Sequence, residues 1–105
     1  MRSICLYHRA DLDGKCSAAI VRSVFPDIAL LGCDYGDDMQ ALFDQTKDCG
    51  RVLVVDFSLP MDLMAKIPGH SHLVWIDHHV SAIKDAEAAG FNPDGIRVIG
   101  TAACE

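Results

Sequence analysis

The chain has 105 residues, a formal charge of −6, and half of its residues hydrophobic, enough for one core and one domain. The acidic balance excludes a broad basic face for long nucleic acid. No apolar stretch approaches the roughly 20 residues a membrane span needs, and the N-terminus has no signal-peptide core.

Hydrophobic patterning alternates between strand and helix along the chain. Ser3–Tyr7 reads as a short strand, and Lys15–Phe25 as a helix stopped by Pro26. Ile28–Cys33 is a second strand. Met39, Leu42, Phe43 and Thr46 fall at helical spacing, with Cys49-Gly50 read as the end of that helix. Arg51–Asp56 is the clearest strand, and its near-continuous apolar run implies burial on both faces, as in a parallel sheet. Pro60–Lys66 reads as a short helix and Leu73–Ile76 as a buried strand. Asp85–Ala89 reads as a helical turn or two closed by Gly90. Ile96–Ile99 reads as a last strand, with Thr101 placed to cap a following helix. The pattern predicts an α/β fold, a mostly parallel sheet flanked by helices.

Ligands of such sheets sit beyond the carboxyl ends of the strands, and the chemistry of this chain collects there. His8, Asp11 and Asp13 follow the first strand, Asp56 ends the third, and Asp77, His78 and His79 follow the fourth. Each set has a plain structural reading: a polar Asp-x-Asp-Gly turn, a capping Asp56, an exposed Asp-His-His loop. Their conjunction at one sheet edge points instead to a metal site, since carboxylates with imidazoles suit Mn²⁺, Zn²⁺ or Fe²⁺. Paired metal ions suit phosphoryl transfer, because they clamp the attacking and leaving oxygens and activate a water.

Other polar groups read more plainly. In Cys33–Asp38, Gly36 eases a turn and Asp37 caps the next helix; Tyr35 as a base-stacking residue is the less favoured reading. His70 and His72 precede a strand, hence lie at the opposite edge, as a solvated turn. The five cysteines, with no Cys-x-x-Cys pair, read as reduced core residues of a cytoplasmic protein, and Cys16, nearest the site, is not read as a nucleophile.

His8-Arg9-Ala10-Asp11-Leu12-Asp13-Gly14, Val54-Val55-Asp56 and Val74-Trp75-Ile76-Asp77-His78-His79, in that order, resemble the motifs of the DHH phosphoesterase superfamily, and Gly100-Thr101-Ala102 resembles the segment after its signature triplet. The resemblance covers nearly the whole chain. It implies a DHH-type N-terminal domain and hydrolysis of phosphodiester or phosphoanhydride bonds with two Mn²⁺ ions, Mg²⁺ or Co²⁺ being alternatives. Carried over, His8 and Asp11 hold the first metal, Asp13 and His78 the second, and Asp56 bridges them. His79 faces the substrate phosphate, and Asp77 orients the histidines from behind.

Motif one is one residue shorter than in many members. The family's fourth motif and its C-terminal substrate-binding domain are not found in residues 1–105, which are expected to form a single, partial DHH domain. The expected substrate is a short oligonucleotide or small nucleotide, with weak activity or none in this chain alone. A homodimer is an option for covering an incomplete edge. The alternatives are a non-catalytic nucleotide- or metal-binding remnant of such an enzyme, and a structural domain with an accidental polar edge.

Overall fold

The computed structural model describes residues 2–97. These form β1 (Arg2–His8), α1 (Leu12–Val24), β2 (Ala29–Cys33), α2 (Met39–Gln45), β3 (Cys49–Val55), α3 (Met61–Met64), β4 (His72–Ile76) and α4 (Val80–Ala89). A single 3-10 turn, Ile67–Gly69, precedes β4. The strands make one sheet in the order β2-β1-β3-β4, and every pairing is parallel. The fold is α/β, as the alternating pattern predicts. Among the described residues no helix is long and apolar enough to cross a membrane.

Both faces of the sheet are covered, which explains the continuous apolar runs. Alternation sends Ile4, Leu6, Val52 and Val54 to one face, under α2, α3 and α4. It sends Cys5, Leu53 and Val55 to the other, with Val21 of α1. Trp75 is fully buried, and its Nε1 donates to the Phe57 carbonyl at 3.0 Å. That bond ties β4 to the segment leaving β3. Because β1 leads to α1 on one face and β3 to α3 on the other, the chain opens a crevice between the ends of these neighbouring strands.

Several boundaries differ from the sequence reading for local reasons. α1 starts at Leu12 rather than Lys15, because Asp11 caps it by accepting from the Gly14 N–H at 2.8 Å. Asp38, not Asp37, caps α2; Asp37 is taken by Arg9. Cys49-Gly50 does not end a helix. α2 stops at Gln45, buried Thr46 turns the chain by bonding to the Phe43 carbonyl, and Cys49 opens β3 beside Arg2. β3 closes at Val55, so Asp56 stands just outside it. α4 begins at Val80 rather than Asp85, its buried side defined by Ile83 and Ala86, and ends as read at Gly90, with φ of 69°.

Where a last strand is expected at Ile96–Ile99, Arg97 makes an isolated parallel bridge to Asp77, and Asp94, ahead of that segment, makes one to Val74. Gly95 permits this close run: a Cβ there would stand 2.1 Å from the Trp75 carbonyl oxygen, and its φ is 118°. Val98, Ile99, Thr101 and Cys104 lie outside the described residues.

Candidate metal centre

Every residue chosen from the strand ends lies at the crevice or along its rim. His8 closes β1, and its Nδ1 lies 3.1 Å from Asp11 Oδ2. The contact depends on Gly14. A Cβ at that position would stand 1.8 Å from the His8 carbonyl oxygen. Only glycine lets the first turn of α1 rest on the end of β1, setting Asp11 beside His8 and Asp13 beside His78. The Asp-x-Asp-Gly segment is therefore a helix start pressed against a strand, not a free turn.

Asp56 is wholly buried at the end of β3, with φ of 52°. A non-glycine residue in the left-handed region is uncommon, and such strain concentrates at functional sites. Its backbone N–H donates to the Ile76 carbonyl at 2.9 Å. Its Oδ1 lies 2.8 Å from His78 Nε2 and 3.8 Å from His79 Nε2, while Oδ2 is buried with no hydrogen-bond partner. His78 Nε2 also stands 3.1 Å from Asp13 Oδ2. Carboxylates from α1 and from the β3 end thus meet on one imidazole from the β4 end.

Asp77 is buried behind the two histidines. Its Oδ1 accepts from the backbone N–H groups of His78 at 2.8 Å and His79 at 3.2 Å. It lies 2.6 Å from His79 Nδ1, at ion-pair distance but out of hydrogen-bond alignment. The turn that presents both imidazoles is thus held by one carboxylate.

The electrostatics agree with the geometry. Burial pushes Asp56 up to about 6; His78 opposes the shift, and Asp11 and Asp13 add to it. Asp11 lies below the ordinary carboxylate range: burial raises it, but the Gly14 N–H, Asp56 and His8 outweigh that. His78 is raised, because Asp56, Asp13 and Asp77 outweigh its partial burial. The site gathers more negative charge than its imidazoles balance.

The donor set fits a divalent cation. Asp56 Oδ2 is a buried carboxylate oxygen without a partner, which is costly unless a cation meets it. His8, Asp11 and Asp56 bring ligand atoms within 4.8 Å of one another, and so do Asp56, Asp77, His78 and His79. Asp56 is common to both groups. Carboxylate and imidazole donors suit Mn²⁺, Zn²⁺ or Fe²⁺.

Asp34, at the end of β2, is a neighbour that the sequence reading passed over; its Oδ1 lies 3.5 Å from His8 Nε2. Its position after a strand was the available signal. Phe57, directly after Asp56, has its ring 4.8 Å from that of Tyr35 and 6.2 Å from that of His8. His70 and His72 lie away from the site, paired with Ser71 and Asp94. Cys5, Cys33 and Cys49 are buried and Cys16 is partly buried, with burial pushing the Cys5 thiol up to about 12. Comparisons with protein-family models, with curated proteins and with solved structures returned no match to this chain.

Proposed function

We propose that this chain is the metal-holding domain of a DHH-type phosphoesterase that cleaves phosphodiester bonds of short oligonucleotides or small nucleotides. The observation that carries the reading is Asp56: a fully buried carboxylate, in a strained backbone conformation, with one oxygen on His78 and the other unpartnered. His78 meets one oxygen of this carboxylate, and the buried second oxygen is costly unless a cation meets it. Its position in the crevice where the strand connections diverge is where ligands of parallel sheets bind.

In this reading His8, Asp11, Asp13, Asp56 and His78 hold the metal, with Mn²⁺ as the leading candidate. When bound, it supplies a water of lowered pKa and neutralises charge on the phosphoryl oxygens. The remaining work falls to the chain. Asp77 fixes the His78–His79 turn through both backbone N–H groups. His79 donates from Nε2 to a phosphoryl oxygen. α4 begins immediately after His79 with no side-chain cap, so its first N–H groups are free to receive the same phosphate. The formal charge of −6 favours a small substrate over long nucleic acid. Cysteines without a disulfide among the described residues suit a reducing compartment such as the cytoplasm.

The test is calorimetric titration of Mn²⁺ into the wild-type chain and Asp56→Asn, followed by a labelled dinucleotide. Saturable binding that the variant loses, with cleavage in Mn²⁺, supports the reading. Binding without cleavage supports the metal centre without catalysis by residues 1–105 alone, and no binding above that of a generic acidic surface overturns both readings.

A further inference from the structure

A cavity of about 530 Å³ opens beside the metal centre, with His79 in its wall. Pockets of several hundred cubic ångströms hold ligands of nucleoside size. Tyr35, Met39 and Met61 contribute apolar walls, and Ser81 and Asp85 of α4 contribute polar groups. The Tyr35 ring is braced by Phe57 at 4.8 Å and by His8 at 5.3 Å, and the residue remains 48% exposed. The turn that carries it is anchored. Arg9 donates to both Asp37 carboxylate oxygens, at 2.6 and 3.1 Å, and Asp37 in turn accepts from the Asp34 N–H at 3.0 Å. A held, half-exposed aromatic side chain in the wall of a cavity it shares with two methionines offers a stacking surface that needs little ordering when a flat ring arrives.

We propose that this cavity binds the nucleobase of the nucleotide whose phosphate sits at His79, and that Asp85 selects a base presenting an amino group. The inference rests on the phosphoesterase reading for the position of the phosphate. Base stacking on Tyr35 supplies affinity without sequence preference, because every base has a flat face. Asp85 has only acceptor oxygens when ionised. It accepts from the exocyclic amine of adenine and repels the carbonyl oxygen that replaces that amine in hypoxanthine. Ser81, one turn earlier on α4, lies on the same wall.

The probes are adenosine and inosine, which carry no phosphate and need no metal. They are titrated into the metal-free chain while backbone amide resonances are followed by NMR, with Mn²⁺ affinity measured separately. The expected result is saturable shifts at Tyr35, Met39 and Ala82, with adenosine binding about tenfold more tightly than inosine. Tyr35→Ala weakens both nucleosides by about tenfold, and Asp85→Ala erases the difference between them while Mn²⁺ affinity is unchanged. Intact Mn²⁺ binding with no nucleoside shifts in these residues overturns the cavity assignment and leaves the metal reading standing. Nucleoside shifts in a chain that fails to bind Mn²⁺ support the cavity and overturn the metal reading. Equal affinity for the two nucleosides, insensitive to Asp85→Ala, overturns the proposal as stated.

Discussion

His78 Nε2 lies 2.8 Å from Asp56 Oδ1, so an imidazole delivered after β4 meets a carboxylate delivered after β3. The two residues are 22 positions apart in the chain. They meet because β3 and β4 are parallel neighbours in register, with Val55 opposite Ile76. Without a cation, this pair and the nearby Asp11 and Asp13 place several carboxylates around few protons.

Asp56→Asn separates metal binding from stability. Asparagine tolerates the left-handed backbone at this position and keeps the side-chain shape. It removes a charge that burial, and to a lesser degree the neighbouring carboxylates, disfavour. The metal-free variant should therefore melt higher at pH 7, by an amount on the order of 1 kcal/mol. Its Mn²⁺ affinity should fall at least tenfold. Thermal unfolding with and without Mn²⁺ checks both, and a variant that melts lower while binding Mn²⁺ normally contradicts the assignment.

Metal-free stability and the stabilisation added by metal should respond to pH in opposite directions. Asp56 in the fold titrates near 6, above its ordinary 3.8. Its stabilising contribution is thus fully present below 3.8 and is lost as pH rises through about 6. His78 is also raised, so its contribution is present below 6.5 and is lost above that, as pH rises through its folded value. Metal-free protein should gain melting temperature between pH 7.5 and pH 5.5. Protons compete with cations for the same atoms, so the Mn²⁺-induced rise in melting temperature should shrink over that interval. Differential scanning fluorimetry across the range, with and without Mn²⁺, measures both slopes.

Gly14→Ala tests the approach of α1 to β1. The added methyl would stand 1.8 Å from the His8 carbonyl oxygen, so the helix start and the strand end must separate. A destabilisation of about 3 kcal/mol is expected, with weaker Mn²⁺ binding because His8 and Asp11 no longer share a position. Wild-type melting and metal affinity in this variant would show that the contact is looser than described.

Trp75→Phe removes the donor that meets the Phe57 carbonyl, in a fully buried setting. Loss of the bond and a small cavity should together cost about 2–3 kcal/mol. Phe57 should then shift, and with it the Tyr35 ring it braces. Chemical denaturation gives the stability change, and amide exchange at Tyr35 reports the local effect.

The α/β class, the parallel sheet and the chain order of the strands were legible in the sequence. Runs such as Val52–Val55 and Leu73–Ile76 need cover on two faces, and helical spacing between them supplies that cover. The candidate residues were legible because polar groups following apolar strands must emerge at one edge of a parallel sheet. Pairwise distances were not legible. That Asp56 is fully buried, or that Asp34 stands near His8, follows from strand order and register, which sequence periodicity does not encode.

Helix starts were misplaced for a related reason. Asp11 and Gly14 act through a hydrogen bond and a close approach to β1, not through hydrophobic spacing. The extended α4 is similar: Ile83 and Ala86 define its buried face, and Ala86 joins the core with Leu73 and Trp75 of β4. Sequence alone determined which residue types reach the sheet edge, because alternation and chain direction are local. Tertiary structure alone decided which of them meet, because that depends on the sideways order of strands brought together by burial from distant parts of the chain.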